Sequence, residues 1–400
     1  MKKLHSIAFI IVLSLLSFSC SNDDDNTTEP LPTANTTTYD LSTKDVPGIS
    51  GIATFTENPD ASVTIRLDIS GTPAGGVHPA HIHFNTATEG GGIALTLEPV
   101  NGDTGQSEIT VSALNDGTAI SYAELLNFDG YINVHLSTNA LGTIVAQGDI
   151  GQNDLTGTTK TYDLEEVAAP GISGNVTFSE RINGETLAEI MLSGTPAGGE
   201  HPAHIHANSA VQGGIILFTF NPVNGDTGIS STNIAAFNDG SALTYADIEG
   251  LDAYVNVHLS ANDLGTIVAQ GDIGLNELTG ETKVYMLAEK DVANISGTAT
   301  FYKRVNGTAL AVLNIQNTPL NGVHPAHIHN NDAATGGGIA FTFNAVDGNT
   351  GLSSTQVGTL DDNTAITYDD ILTFNGYINV HLSAAQLGTI VSQGNIGSNE

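Results

Sequence analysis

Alternation of apolar and polar residues is the dominant pattern along this chain. Val63, Ile65, Leu67 and Ile69 fall on one side of an extended segment, with Thr64, Arg66 and Asp68 on the other. That is the period-two signature of a half-buried strand. Residues 93–97, 108–112, 131–136 and 143–150 predict further strands, and Asn101-Gly102-Asp103 and Asn115-Asp116-Gly117 supply turn chemistry between them. One short helical turn is expected at Ser121-Tyr122-Ala123-Glu124, which has capping-box spacing; it recurs as Thr244-Tyr245-Ala246-Asp247 and Thr367-Tyr368-Asp369-Asp370. Many strands with almost no helix in about 120 residues predict an all-β, Greek-key sandwich or barrel.

The whole pattern occurs three times. Tyr39-Asp40-Leu41 returns as Tyr162-Asp163-Leu164 and Tyr285-Met286-Leu287, and Leu141-Gly142-Thr143-Ile144-Val145 returns from Leu264 and from Leu387. A period of 123 residues is a tandem array of whole domains, because each copy is long enough to enclose its own core. We divide the array into residues 37–159, 160–282 and 283–400. Short polar joins such as residues 151–160 predict beads on a string with limited reach.

Before the repeats, Lys2 and Lys3 precede an apolar run from Ile7 to Phe18 that ends at Ser19-Cys20. A positive start and so short an apolar segment read as a signal peptide over residues 1–19 and not as a membrane span. Cys20 is the only cysteine, so no intramolecular disulfide can form. Residues 20–36, acidic and then rich in Thr, Asn and Pro, read as a solvated tether. A lone cysteine closing a signal peptide resembles the lipid-modified cysteine of bacterial lipoproteins, although Leu16 stands four residues before it and not three. The alternative is an ordinary secretory signal followed by a free thiol. The acidic run after Cys20 resembles the surface-export signal of Bacteroidota lipoproteins. That resemblance implies a surface-exposed outer-membrane lipoprotein, with Cys20 as the lipidation site and the membrane as one partner.

Charge narrows the partners. With 10 basic and 43 acidic residues the formal charge is −33, which repels nucleic acid and anionic headgroups and attracts cations diffusely. No nucleic-acid partner is expected. Glycine at 45 residues and the absence of tryptophan fit short strands and tight turns.

Candidate chemistry lies in the histidines. Of 13, four stand in each repeat and the remaining one is His5. His-Pro-Ala-His-Ile-His occupies residues 78–83, 201–206 and 324–329, and Asn-Val-His-Leu-Ser supplies His135, His258 and His381. In a strand, residues two apart share a face. His81 and His83 therefore point one way and Ile82 the other, while Tyr131, Asn133 and His135 oppose Ile132 and Val134. With isoleucine and valine facing the core, His81, His83 and His135 are expected together on the outer side of the sheet, if their strands are neighbours. Two imidazoles at i and i+2 with a third from another strand suit Cu(II) or Zn(II). The same argument gives His204, His206 and His258, and His327, His329 and His381. His78, His201 and His324 have the opposite parity and read as structural, bonded to a loop carbonyl. The competing reading is a ladder of hydrogen-bonded histidines that binds nothing. Asn133, Asn256 and Asn379 would orient a ligand imidazole or satisfy a strand-end amide. Tyr131, Tyr254 and Tyr377 read as packing. Asp103 and Asp226 become Asn349 in the third copy, which argues against an obligatory carboxylate there.

Two resemblances attach to these residues. Gly76-Val77-His78-Pro79-Ala80-His81-Ile82-His83, Gly130-Tyr131-Ile132-Asn133-Val134-His135 and Gly142-Thr143-Ile144-Val145-Ala146-Gln147-Gly148 resemble the chordin-type CHRD domain over nearly all of each repeat. The closing strand lacks that family's Glu and Arg. The resemblance implies an extracellular β-domain. The histidine strand is also similar to the copper strand of Cu,Zn superoxide dismutases, Gly-x-His-x-x-His-x-His. That likeness implies His81 and His83 as copper ligands and a structural His78, with His135 matching a further ligand. No histidine follows between Ile93 and Tyr131, so the bridging and zinc ligands of that family have no counterpart, and the guiding arginine is missing too. No nucleophile–base pair, phosphate loop or carboxylate dyad recurs with the repeat. The expectation is a non-enzymatic surface lipoprotein with three binding domains and a copper or zinc site in each. Its partner would be an extracellular protein or glycan. The alternatives are a dismutase-like copper enzyme and a metal-free adhesive module.

Overall fold

A computed structural model describes residues 34–400. The signal peptide, Cys20 and most of the tether lie outside the described residues. The first copy contains β1 (Thr36–Thr43), β2 (Ser50–Glu57), β3 (Val63–Ser70), β4 (Val77–His78), β5 (Ala80–Phe84), β6 (Ile93–Thr96), β7 (Val100–Asn101), β8 (Gln106–Val111), α1 (Tyr122–Leu126), β9 (Asp129–Ser137) and β10 (Ala140–Gly151). Its ten strands form one curled antiparallel sheet in the order β4-β7-β8-β3-β2-β1-β10-β9-β5-β6. β1 joins the two halves: its first six residues pair with β2, and Ser42 and Thr43 pair with Gln147 and Ala146 of β10. The second copy repeats this order. The third keeps eight strands in one sheet, and Val323–His324 pairs separately with Val346–Asp347. The fold class expected from the alternation, three all-β domains in tandem, is the one observed.

Curling brings the inward faces together. In the first copy Phe55, Ile65 and Leu67 of one half pack in a single cluster with Ile82, Ile132 and Val134 of the other, all essentially inaccessible to solvent. At about 25 cal/mol per Å² of apolar surface removed from water, such burial is the main stabilising contribution to each copy. The capping box is present: Ser121 accepts from the Glu124 N–H while the Glu124 carboxylate takes the Ser121 N–H, and Tyr122 and Leu125 enter the core. Asp103 Oδ1 accepts the Gly75 N–H at 2.7 Å, and Asn349 Oδ1 accepts that of Asn321 at 2.9 Å. The position needs only a side-chain oxygen, so Asn replaces Asp without loss.

The joins are short and are themselves structured. β10 ends at Gly151 and the first strand of the second copy, Leu155–Glu166, begins after three intervening residues, with Leu155 already paired to Arg181. Residues 151–160 are mostly strand. Arg181 is buried across the join, 2.7 Å from Asp149 of the first copy, and Arg304 repeats this with Asp272. No helix among the described residues is long and apolar enough to cross a membrane.

Candidate metal centre

β5 and β9 are antiparallel neighbours, with His81 opposite Asn133 and His83 opposite Tyr131. Ile82, Ile132 and Val134 go to the core, so the pleat turns His81, His83 and His135 to the other face. There they meet. His81 Nδ1 lies 3.0 Å from His135 Nε2. His83 Nδ1 is 2.9 Å from the Gly91 carbonyl, and His135 Nδ1 is 2.6 Å from the Leu141 carbonyl. A carbonyl only accepts, so both Nδ1 atoms carry the proton and both Nε2 atoms present a lone pair. The three imidazoles thus offer one Nδ1 and two Nε2 atoms to a common point.

The arrangement is built three times. His206 and His329 are 3.0 Å from the carbonyls of Gly214 and Gly337, and His258 and His381 are 2.7 Å from those of Leu264 and Leu387. In each triad the candidate ligand atoms lie within 4.8 Å of one another, so each triad can hold a metal ion. Nitrogens bound to one ion at about 2.1 Å stand roughly 3–4 Å apart, so at most a small inward movement closes the set. Unpartnered buried nitrogens mark the same point: Nε2 of His83, His206 and His329, and in the third copy also His327 Nδ1 and His381 Nε2. A buried polar atom without a partner costs about 1–3 kcal/mol, which a bound cation would remove.

Burial also sets the charge state. It lowers the pKa of His81, His135, His258, His327 and His381 below the usual imidazole value, and that of His204 to about 4. Proximity of the other imidazoles adds to the depression. These rings are neutral near pH 7, the form that ligates metal. The triads lie on the outer face of the sheet, as parity expects, but they are covered. His83 is 9% exposed and His135 is 6%, because the 85–92 loop and the β9–β10 hairpin fold over them.

His78 is buried, and its Nδ1 is 3.3 Å from the His135 carbonyl; His324 repeats this with His381 O at 3.2 Å, and His201 bonds Leu259 O at 2.9 Å. These partners lie on the strand that carries the third histidine, not on a loop. Parity could not have placed His78, since Pro79 separates β4 from β5. Asn133, Asn256 and Asn379 accept from the amides of Gln147, Gln270 and Gln393 at 2.7–2.8 Å, and no bond joins them to the histidines.

Tyr131, Tyr254 and Tyr377, read as packing, stack on His83, His206 and His329 with ring centroids 4.9–5.0 Å apart. One contributor escaped the sequence reading. Gly91 provides the carbonyl for His83 by approaching the backbone closely: a Cβ there would stand 2.0 Å from Phe84 O, and 1.9 Å from Ala207 O at Gly214. The signal available was the glycine run 90–92, which recurs at Gly213-Gly214 and at 336–338.

No curated protein and no solved structure matches the chain. The sequence model of the CHRD domain matches residues 31–147, the segment that carries the first histidine triad.

Proposed function

We propose that the chain is a cell-surface lipoprotein, anchored to the outer membrane through Cys20, that presents three CHRD-type extracellular binding domains with a copper or zinc site in each. The second copy carries the same strand order as the matched segment, the third shares it over eight strands, and both carry the same triad, which supports reading them as the same domain. The observation that carries the metal reading is the convergence of one Nδ1 and two Nε2 atoms. Carbonyls fix the tautomers of His83 and His135, His83 Nε2 is buried without a partner, and an ion would displace the proton that His81 Nδ1 donates to His135 Nε2. His81 Nδ1 and His83 Nε2, with His135 Nε2, would hold the ion, and the same atoms of the other triads would do so in turn. Three imidazoles with an open position suit capture or exchange of Cu(II) or Zn(II).

A metal-free histidine network is the second reading. It is favoured by the 3.0 Å contacts between His81 and His135 and between His204 and His258, which satisfy those nitrogens without an ion. No such bond forms between His327 and His381.

Titration of residues 34–400 with Cu(II), followed by EPR, separates the two. Three equivalents with nitrogen hyperfine structure, lost when His83, His206 and His329 are changed to Ala together, are the expected result. Absence of stoichiometric copper and zinc binding would leave the network reading. The anchor is tested apart: labelled palmitate incorporated by the full chain and lost in Cys20→Ala supports it, and label unaffected by that change contradicts it.

A further inference from the structure

Among the described residues Arg181 and Arg304 are the largest side chains withdrawn from solvent, and each reaches out of its own repeat. Arg181 Nη1 lies 2.7 Å from Asp149 Oδ2 and also donates to the Asn153 carbonyl. The other oxygen of Asp149 accepts the Ala87 N–H at 2.7 Å, and Asn153 Nδ2 donates to the Asn85 carbonyl at 3.1 Å. Ala87 and Asn85 belong to the 85–92 loop, whose Gly91 carbonyl holds His83. The second join repeats the chain of contacts. Arg304 meets Asp272 and the Asn276 carbonyl, Asp272 Oδ1 accepts from Ala210 N–H at 2.8 Å, and Asn276 donates to Asn208 O at 3.0 Å.

We propose that each of these arginines is a positioning residue for the histidine site of the repeat before it, Arg181 for the first site and Arg304 for the second. The proposal rests on the metal-site reading. A guanidinium on one carboxylate oxygen and a backbone N–H on the other make charge-assisted bonds that fix the carboxylate, and with it the loop. Ligand orientation from outside the first coordination shell governs how well a metal is held. The third copy supplies a contrast within one molecule. Asn395 replaces the aspartate, still accepting the Ala333 N–H at 2.9 Å, and no arginine among the described residues meets it. At that site alone the His327 and His381 ligand nitrogens are both left unpartnered. Among the described residues the three sites are therefore not equivalent: an arginine meets the aspartate behind two of them, and an asparagine without one stands behind the third.

The test uses the full chain with His206→Ala and His329→Ala, which leaves the first site alone intact. Arg181→Met is introduced together with Asp149→Asn, so that no buried charge is stranded and the third copy's residue stands at position 149. Hydrogen exchange of the 85–92 amides is measured without metal, and Zn²⁺ affinity by chelator competition. The expected result is exchange at least about threefold faster, confined to 85–92, with Zn²⁺ affinity about tenfold weaker, the usual scale of outer-shell effects. Arg304→Met with Asp272→Asn, which loosens the other join, should leave the first site unmoved. Exchange and affinity within about twofold of the parent, or equal effects from both pairs, would overturn the proposal. Faster exchange with unchanged affinity would overturn it too. If the parent takes up no Zn²⁺, the metal reading fails by itself, and exchange still decides: unchanged protection at 85–92 overturns the positioning claim, and a loss confined to that loop upholds it.

Discussion

A histidine's two nitrogens become inequivalent when one of them finds a carbonyl, and here that choice is made by Gly91 and Leu141 and their counterparts. The depressed pKa values add a consequence for stability. Burial, then the neighbouring imidazoles, hold His204 at about 4, so in the window between the unfolded value near 6.5 and about 4 the unfolded chain binds the extra proton. Stability from this group is complete above pH 6.5 and is lost as pH falls through that window. The metal-free protein should therefore lose denaturation midpoint between pH 6.5 and 4, and His204→Gln should flatten that slope; an unchanged slope would contradict the assignment. At this scale the sequence was informative about which histidines share a face, because Ile82, Ile132 and Val134 named the core side. It was silent about tautomer and cover. Those depend on Gly91 and Leu141, whose backbones act and whose side chains carry no signal.

Among elements, the strands with clean alternation were legible and the irregular ones were not. β3 matches its pattern over Val63–Ser70, whereas the strand expected at 108–112 runs as Gln106–Val111, since the turn closes at Gly105 in the left-handed region. β4 and β7, two residues each, have no pattern to read. The 85–92 loop is the element on which the site depends. Gly91→Ala would place a methyl 2.0 Å from Phe84 O, so the backbone must move and the His83 bond with it. We expect Zn²⁺ affinity at that site to fall about 10- to 100-fold while the other two sites titrate normally, which competition titration would show. The capping box is a separate matter: Ser121→Ala should cost about 1 kcal/mol in urea denaturation and leave metal binding alone.

Over the whole molecule, the expected beads touch: the connecting residues are themselves strand and a buried arginine crosses each join. The sequence concealed this. Asn58 and Arg181 occupy the same place in the first and second repeats, and Asp149 and Asn395 the same place in the first and third, and only the fold shows that Arg181 faces Asp149. Removing one partner of a buried pair strands the other. Arg304→Ala should accordingly destabilise the chain by about 3–5 kcal/mol, and Arg304→Met with Asp272→Asn by much less, as read from denaturation midpoints. Equal losses would mean that packing and not charge governs the join.

The central claim is that one Nδ1 and two Nε2 atoms in each copy take a single ion. Long-range ¹H–¹⁵N correlation of the imidazole nitrogens, recorded as Zn²⁺ is added, addresses those atoms one by one. The account predicts that Nδ1 of His81, His204 and His327 and Nε2 of the other six triad histidines move to metal-bound shifts, saturating at three equivalents, while His78, His201 and His324 stay in place. Imidazole signals unmoved by excess Zn²⁺ and by Cu(I) would contradict it.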